Sequence, residues 1–118
     1  MSSAGQSPDI AQHADAAHTS LHAIALLSRE THPAPVVSKV MGNLISVSRF
    51  LPETFHQLAQ GLVRSLERYD VADAGGTDPA AGITLAGEHL IRAAELAEQL
   101  GEELAKAQDA LAGRGSKD

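Results

Sequence analysis

The sequence predicts an all-α protein, arranged roughly as a four-helix bundle with a long C-terminal helix of heptad pattern. Apolar residues make up 43% of the 118 residues, which is enough for a buried core. Aromatic residues make up only 3%, whereas strands are normally richer in aromatic and β-branched side chains. Apolar residues recur at spacings of three and four through most of the chain, which is the period of an amphipathic helix.

The chain is expected to form a single helical domain, residues 1–118. Its first helix is predicted to begin at Pro8, with Ser7 as the N-cap, because proline is well tolerated at the first helical position. The segment 32–35, with two prolines, should end that helix. The predicted helices span 8–31, 36–51, 52–71 and 79–112. A flexible lead and a flexible tail are expected at 1–7 and 113–118.

The second and third predicted helices meet at Pro52 with almost no loop. The second has only Lys39 and Arg49 as charged residues, so it is predicted to be the most buried helix. Its apolar stripe consists of Val37, Val40, Met41, Leu44, Val47 and Leu51. The third helix presents Phe55, Leu58, Ala59, Leu62, Leu66 and Tyr69. A single, sharply bent helix across Pro52 remains an alternative.

The last predicted helix carries the most regular pattern in the chain. Its apolar residues alternate in spacing between three and four, as along the contact line of a coiled coil. They are Ile83, Ala86, Leu90, Ala93, Ala97, Leu100, Leu104, Ala107 and Leu111. Acidic residues recur every seven positions on the other side: Glu88, Glu95, Glu102 and Asp109.

Small residues also recur every seven positions in this helix, at Gly87, Ala94 and Gly101. Glycine costs a helix about 1 kcal/mol relative to alanine, so close approach of another helix is a plausible compensation. That helix could belong to the same chain or to a second copy. The predicted interface residues are Ala86, Gly87, Ala93, Ala94, Leu100, Gly101 and Leu104.

No reaction can be assigned from the sequence, and the protein is not expected to be an enzyme or to hold a cofactor. The absence of cysteine excludes disulfides, thiolate metal sites and a cysteine nucleophile. Neither a Gly-x-Ser-x-Gly motif nor a phosphate-binding glycine loop occurs. The candidate metal ligands are Asp15, His18 and His22, on one side of the first helix. Two histidines four residues apart need a third ligand from elsewhere, so no metal site is expected.

The charge of the chain bears on its partners. The net charge is −6, and the nine basic residues are scattered, which disfavours nucleic-acid binding. With neither a signal peptide nor an apolar run of membrane-spanning length, the expected location is the cytoplasm and no membrane partner is expected. The expected function is that of a non-enzymatic protein–protein interaction module that self-associates. One alternative is a small regulatory DNA-associated accessory protein of a mobile element, with Arg64 and Arg68 contacting phosphates.

A second alternative comes from Tyr69-x-x-x-Asp73, which follows two helical segments. It resembles the Tyr-x-x-x-Asp/Glu export signal of type VII secretion substrates, which are small helical hairpins. The resemblance would imply secretion. The Trp-x-Gly motif that those substrates usually carry at the hairpin turn does not occur here, and a long helix follows the signal instead of ending with it.

Overall fold

The structure, a computed structural model, describes residues 9–68 and 79–116, and the surroundings of the side chains in 9–66 and 80–113. Within these ranges the chain forms three α-helices and no strand: α1 (Ile10–Leu27), α2 (Ala34–Arg68) and α3 (Pro79–Ser116). The prediction of an all-α protein is confirmed. The prediction of a four-helix bundle is wrong, because the two helices expected at 36–51 and 52–71 are one helix.

Pro52 lies inside α2 without ending it. Proline has no amide hydrogen for the carbonyl of Ser48, four residues earlier, and a proline in a helix interior costs about 3 kcal/mol. The helix continues because it packs against α3 on both sides of this point, with Ile45 and Ala59 buried. Tertiary packing therefore outweighs the local preference to stop.

The ends of the first helix also differ from the prediction. It begins at Ile10, and Asp9 is its N-cap, with Oδ1 accepting a hydrogen bond of 2.9 Å from the Gln12 amide. The turn after Leu27 tightens, since the amide of Glu30 donates to the Leu27 carbonyl, 3.1 Å away. The expected N-cap Ser7 and first helical residue Pro8 lie outside the described residues.

The chain divides into two compact units, Met1–Pro33 and Ala34–Asp118. In the first unit, every side chain of α1 is exposed, including its apolar residues. In the second, α3 extends four residues past its predicted end at 112, to Ser116, so Gly113 does not stop it. None of the three described helices combines the length and the apolarity that crossing a lipid bilayer requires.

The second unit is an antiparallel hairpin, because contacts pair rising residue numbers in α2 with falling numbers in α3. Ser48 faces Gly101, and Ala59 faces Gly87. We call the residues along which the helices meet the α2–α3 seam; all are buried or half-buried. Those of α2 are Ser38, Met41, Ile45, Ser48, Pro52, Phe55, Ala59, Leu62 and Leu66. Those of α3 are Ile83, Gly87, Leu90, Ala94, Ala97, Gly101, Leu104, Gln108 and Leu111.

The core of this hairpin is thin. Its fully buried apolar residues, among those described, are Ile45, Ala59, Ala94 and Ala97. The region 36–51 was predicted to be the most buried helix, yet only Ile45 and Ser48 within it are buried. Most of its apolar stripe lies beside the seam and not on it.

Candidate interaction surfaces of the hairpin

The row of small residues on α3 packs against α2. A Cβ atom placed on Gly101 would lie 2.6 Å from Oγ of Ser48, and one placed on Gly87 would lie 4.0 Å from Cβ of Ala59. Ala94, between the two glycines, is 1% exposed. The structure therefore places these three residues on the hairpin contact, and at Gly101 alone of the three the space is too small for an added Cβ atom.

The serine opposite Gly101 is itself buried. Ser48 is 2% exposed, and its hydroxyl donates a hydrogen bond of 2.7 Å to the carbonyl of Ile45 in the same helix. This bond satisfies the hydroxyl locally, so that Ser48 can occupy a core position without a partner on α3. Small residues on both helices thus create the closest contact of the seam.

The observed seam of α3 and the predicted contact line share alternate residues, and the residues between these are shifted by one position. Both contain Ile83, Leu90, Ala97, Leu104 and Leu111. Between these, the structure uses positions 87, 94, 101 and 108, whereas the apolar pattern predicted 86, 93, 100 and 107. Hydrophobicity favours Leu100 over Gly101, but close helix packing favours the smaller residue.

Gln108 is a seam residue that the sequence analysis missed. Its Nε2 donates to the carbonyl of Ser38 across the hairpin at 3.1 Å, while its Oε1 is buried without a hydrogen-bond partner. The amide stands opposite Gly42, where an added Cβ atom would lie 3.6 Å from Nε2 of Gln108, an ordinary contact. A polar residue in a helical contact line can specify register at a cost in stability, and Gln108 fits that role.

One side of the hairpin is acidic and grooved. A groove of about 530 Å³ on this side is lined by Arg49 and Glu53 of α2 and by Glu98 and Glu102 of α3. Each of these residues directly follows a seam position, so the residues that follow seam positions lie on this side. Further acids follow seam positions on α3: Glu88, Glu95 and Asp109. We call this the acidic side. Among the described residues, the one ion pair joins Lys106 to Glu103, at 3.7 Å, so Arg49 is in none.

The opposite side is apolar. Since residues that follow seam positions share one side of the antiparallel pair, residues that precede seam positions share the other. On α2 most of these are apolar: Val37, Val40, Leu44, Val47, Leu51 and Leu58, with Thr54, Gly61 and Ser65 at the remaining positions. On α3 they include Ala86, Ala93, Leu96, Leu100 and Ala107. We call these residues the apolar side. Among all positions that precede a seam residue, Glu103 is the only charged one.

The apolar side is partly open to solvent in the hairpin: Val40, Leu44, Val47, Leu51 and Ala93 are half-buried, and the leucines at 58, 96 and 100 are exposed. Leu96 is 49% exposed, Leu100 50% and Leu58 41%. The seven predicted interface residues consequently divide into two sets. Gly87, Ala94, Gly101 and Leu104 lie on the seam with α2, whereas Ala86, Ala93 and Leu100 lie on the apolar side. None of the predicted interface residues belongs to α2. The difference between the acidic side and the apolar side can be recognised only when the seam residues are known.

The candidate metal ligands of the first helix are not joined by further ligands. The rings of His18 and His22 stack with centroids 6.2 Å apart and an angle of 21° between their planes. Within the described part of the chain, no three His, Cys, Asp or Glu side chains come together in a way that could hold a metal ion. Asp15 contributes its backbone carbonyl to the Thr19 hydroxyl, at 3.1 Å.

The residues that suggested the two alternative functions lie at the end of α2 and beyond it. Arg64 is exposed on α2, and the surroundings of the Arg68 side chain lie outside what the structure describes, as do Tyr69 and Asp73. Comparison of the chain with models of protein families, with curated proteins and with solved structures gives no match. The features that bear on function are therefore the acidic side and the apolar side of the hairpin.

Proposed function

We propose that the chain is a non-enzymatic helical interaction module whose apolar side binds an apolar helical surface of a protein partner. The observation that carries the proposal is the apolar side itself, which extends over both helices and leaves Leu58, Leu96 and Leu100 about half exposed. Large contiguous apolar patches on a protein surface mark interaction sites.

Because the core is thin, burial of the exposed leucines would contribute substantially to the stability of the hairpin. Among the described residues of the hairpin, three of the four buried apolar residues are alanines, which bury little area. Ordering a residue costs about 1–2 kcal/mol of backbone entropy, and full burial of a leucine side chain contributes about 1.5–3 kcal/mol. Covering the leucines of the apolar side would therefore add much of the burial that the hairpin lacks.

A helical partner fits this surface better than an extended peptide. Within α2 and α3 the backbone follows a helical and not an extended path, so the surface offers no strand edge and binding depends on side-chain packing. Small residues alternate with leucines on the apolar side, as Ala93 does with Leu96 and Leu100. Such alternation forms the ridges and grooves into which another helix packs.

The acidic side supports the non-enzymatic part of the proposal. The groove holds three carboxylates and one guanidinium, and its one hydroxyl, on Ser48, donates to a backbone carbonyl. No histidine lines the groove to act as a base for that hydroxyl.

The test is site-specific crosslinking in the cell that makes the protein. A photoreactive amino acid replaces Leu100 on the apolar side or, as a matched control, Ile91, which is 45% exposed on the same helix and follows seam residue Leu90, on the acidic side. We expect crosslinks from position 100, and their partner peptides, mapped by mass spectrometry, should lie in apolar helical stripes. Equal crosslinking from the two positions, or none from position 100, would contradict the proposal.

A further inference from the structure

We infer that the apolar side binds the apolar side of a second copy of this chain, so that two hairpins form four packed helices. The inference rests on the proposed function and names the partner. Charge, size and symmetry support it.

Charge restricts the way in which two copies can meet. Each copy carries a net charge of −6, and the acids of α3 that follow seam positions lie together on the acidic side. Contact through that side would bring like charges together, which costs free energy and slows association. Contact through the apolar side leaves both acidic sides in solvent. The one acid there, Glu103, lies 3.7 Å from Lys106 of its own helix.

The size of the apolar side matches a two-helix partner. From Val37 to Leu58 it runs for about 32 Å at 1.5 Å per residue. Two helices packed about 9 Å apart present a surface about 20 Å wide, or about 600 Å². Two such surfaces bury about 1,200 Å², the lower end of the range for stable interfaces, whereas a single helix would cover about half of each.

Symmetry completes the argument. An isologous pair uses the same patch on both copies and closes as a dimer. Such a patch must contact an identical patch without electrostatic repulsion. The apolar side can do so, because its one acid, Glu103, is paired with Lys106 of the same helix.

The experiment is sedimentation equilibrium of the purified full-length chain over a range of micromolar concentrations. We expect a mass of twice 12.3 kDa for the wild type and for Ile91→Lys. Leu100→Lys should raise the dimer Kd by about 100-fold or more, since a symmetric interface would bury the new charge twice. Circular dichroism checks that each variant keeps its helicity.

A second measurement covers the case in which Leu100→Lys does not fold. The chain has no cysteine, so Leu100→Cys and Ile91→Cys each introduce a unique thiol. We expect the labelling rate of the thiol at position 100 to rise on dilution, and that at position 91 to stay constant. A rate at position 100 that is independent of concentration would overturn the inference.

The outcomes separate this inference from the proposed function. A wild-type mass of one chain at every concentration overturns the inference. If position 100 nevertheless crosslinks to an apolar helix of another protein in the cell, the proposed function holds without it. Equal weakening of the dimer by Leu100→Lys and Ile91→Lys would also overturn the inference, because the apolar side would not be the contact.

Discussion

Oγ of Ser48 lies 2.6 Å from the point at which a Cβ atom would stand on Gly101, whereas Cβ of Ser48 lies 3.5 Å from the same point. The first distance is shorter than any Cβ atom normally tolerates, and the second is an ordinary contact. A single oxygen atom on α2 therefore decides which residue α3 can carry at position 101.

We expect Gly101→Ala to lower the free energy of unfolding by about 1 kcal/mol, because a steric cost of about 1–3 kcal/mol exceeds the gain in helix propensity of about 1 kcal/mol. Gly82→Ala is the matched control, since nothing lies within 4 Å of its added Cβ atom, and it should stabilise the protein. Urea denaturation of both variants at one protein concentration gives the comparison. Equal stabilisation by the two substitutions would show that Ser48 moves aside freely.

Removal of the serine oxygen should reverse the effect of this substitution. In a Ser48→Ala background, Gly101→Ala should raise the free energy of unfolding by up to about 1 kcal/mol, as expected at an open helical site. A double-mutant cycle then gives a coupling energy of about 1–3 kcal/mol between the two positions. A coupling near zero would mean that the contact does not limit the approach of the helices.

Replacement of the proline in the middle of α2 should stabilise the protein. Pro52→Ala restores an amide donor for the carbonyl of Ser48 and should raise the free energy of unfolding by about 1–2 kcal/mol, after the packing of the ring is lost. Pro35→Ala is the control, because an amide in the first turn of a helix has no helical acceptor. It should have little effect. Destabilisation by Pro52→Ala would show that the ring is required at the seam.

Gln108 should reduce stability through its unpartnered oxygen. Gln108→Leu removes a buried acceptor that costs about 1–3 kcal/mol, while it gives up a hydrogen bond to Ser38 of about 0.5–1.5 kcal/mol. We expect a net gain of about 1 kcal/mol in urea denaturation. Gln99→Leu, at an exposed position of the same helix, should change the stability little. A loss of stability in Gln108→Leu alone would show that the hydrogen bond to Ser38 dominates.

The sequence predicted helicity, the heptad repeat of the last helix and the close packing at Gly101, because each depends on local periodicity or residue size. It predicted two helices meeting at Pro52 and kept a single bent helix as an alternative, because the continuity of α2 depends on packing against α3. It did not predict the α2 side of the seam. Ser38 and Ser48 are polar and Pro52 is only weakly apolar, so a search for hydrophobic stripes selects Val37, Leu44 and Leu51 instead.

The contact line of α3 was missed by one residue for a related reason. Gly101 and Leu100 are neighbours, and the pattern of hydrophobicity favours the leucine. The row of small residues indicated close packing at Gly101, but the identity of the residue that it packs against, Ser48 on α2, could not be predicted from α3 alone. Once the seam is assigned, the charges on one side and the leucines on the other follow directly from the sequence.

The alanine-rich core has a calorimetric consequence. The heat-capacity change of unfolding comes mainly from apolar surface that becomes hydrated, and it is about 12–15 cal/mol/K per residue in typical proteins. In the described part of the hairpin the fully buried apolar residues are one isoleucine and three alanines, so we expect a value below that range and a broad, shallow stability curve. Cooling should lower the free energy of unfolding of such a fold only slightly. Most of the curvature of the free energy of unfolding with temperature would then come from the surface that packs over the leucines of the apolar side.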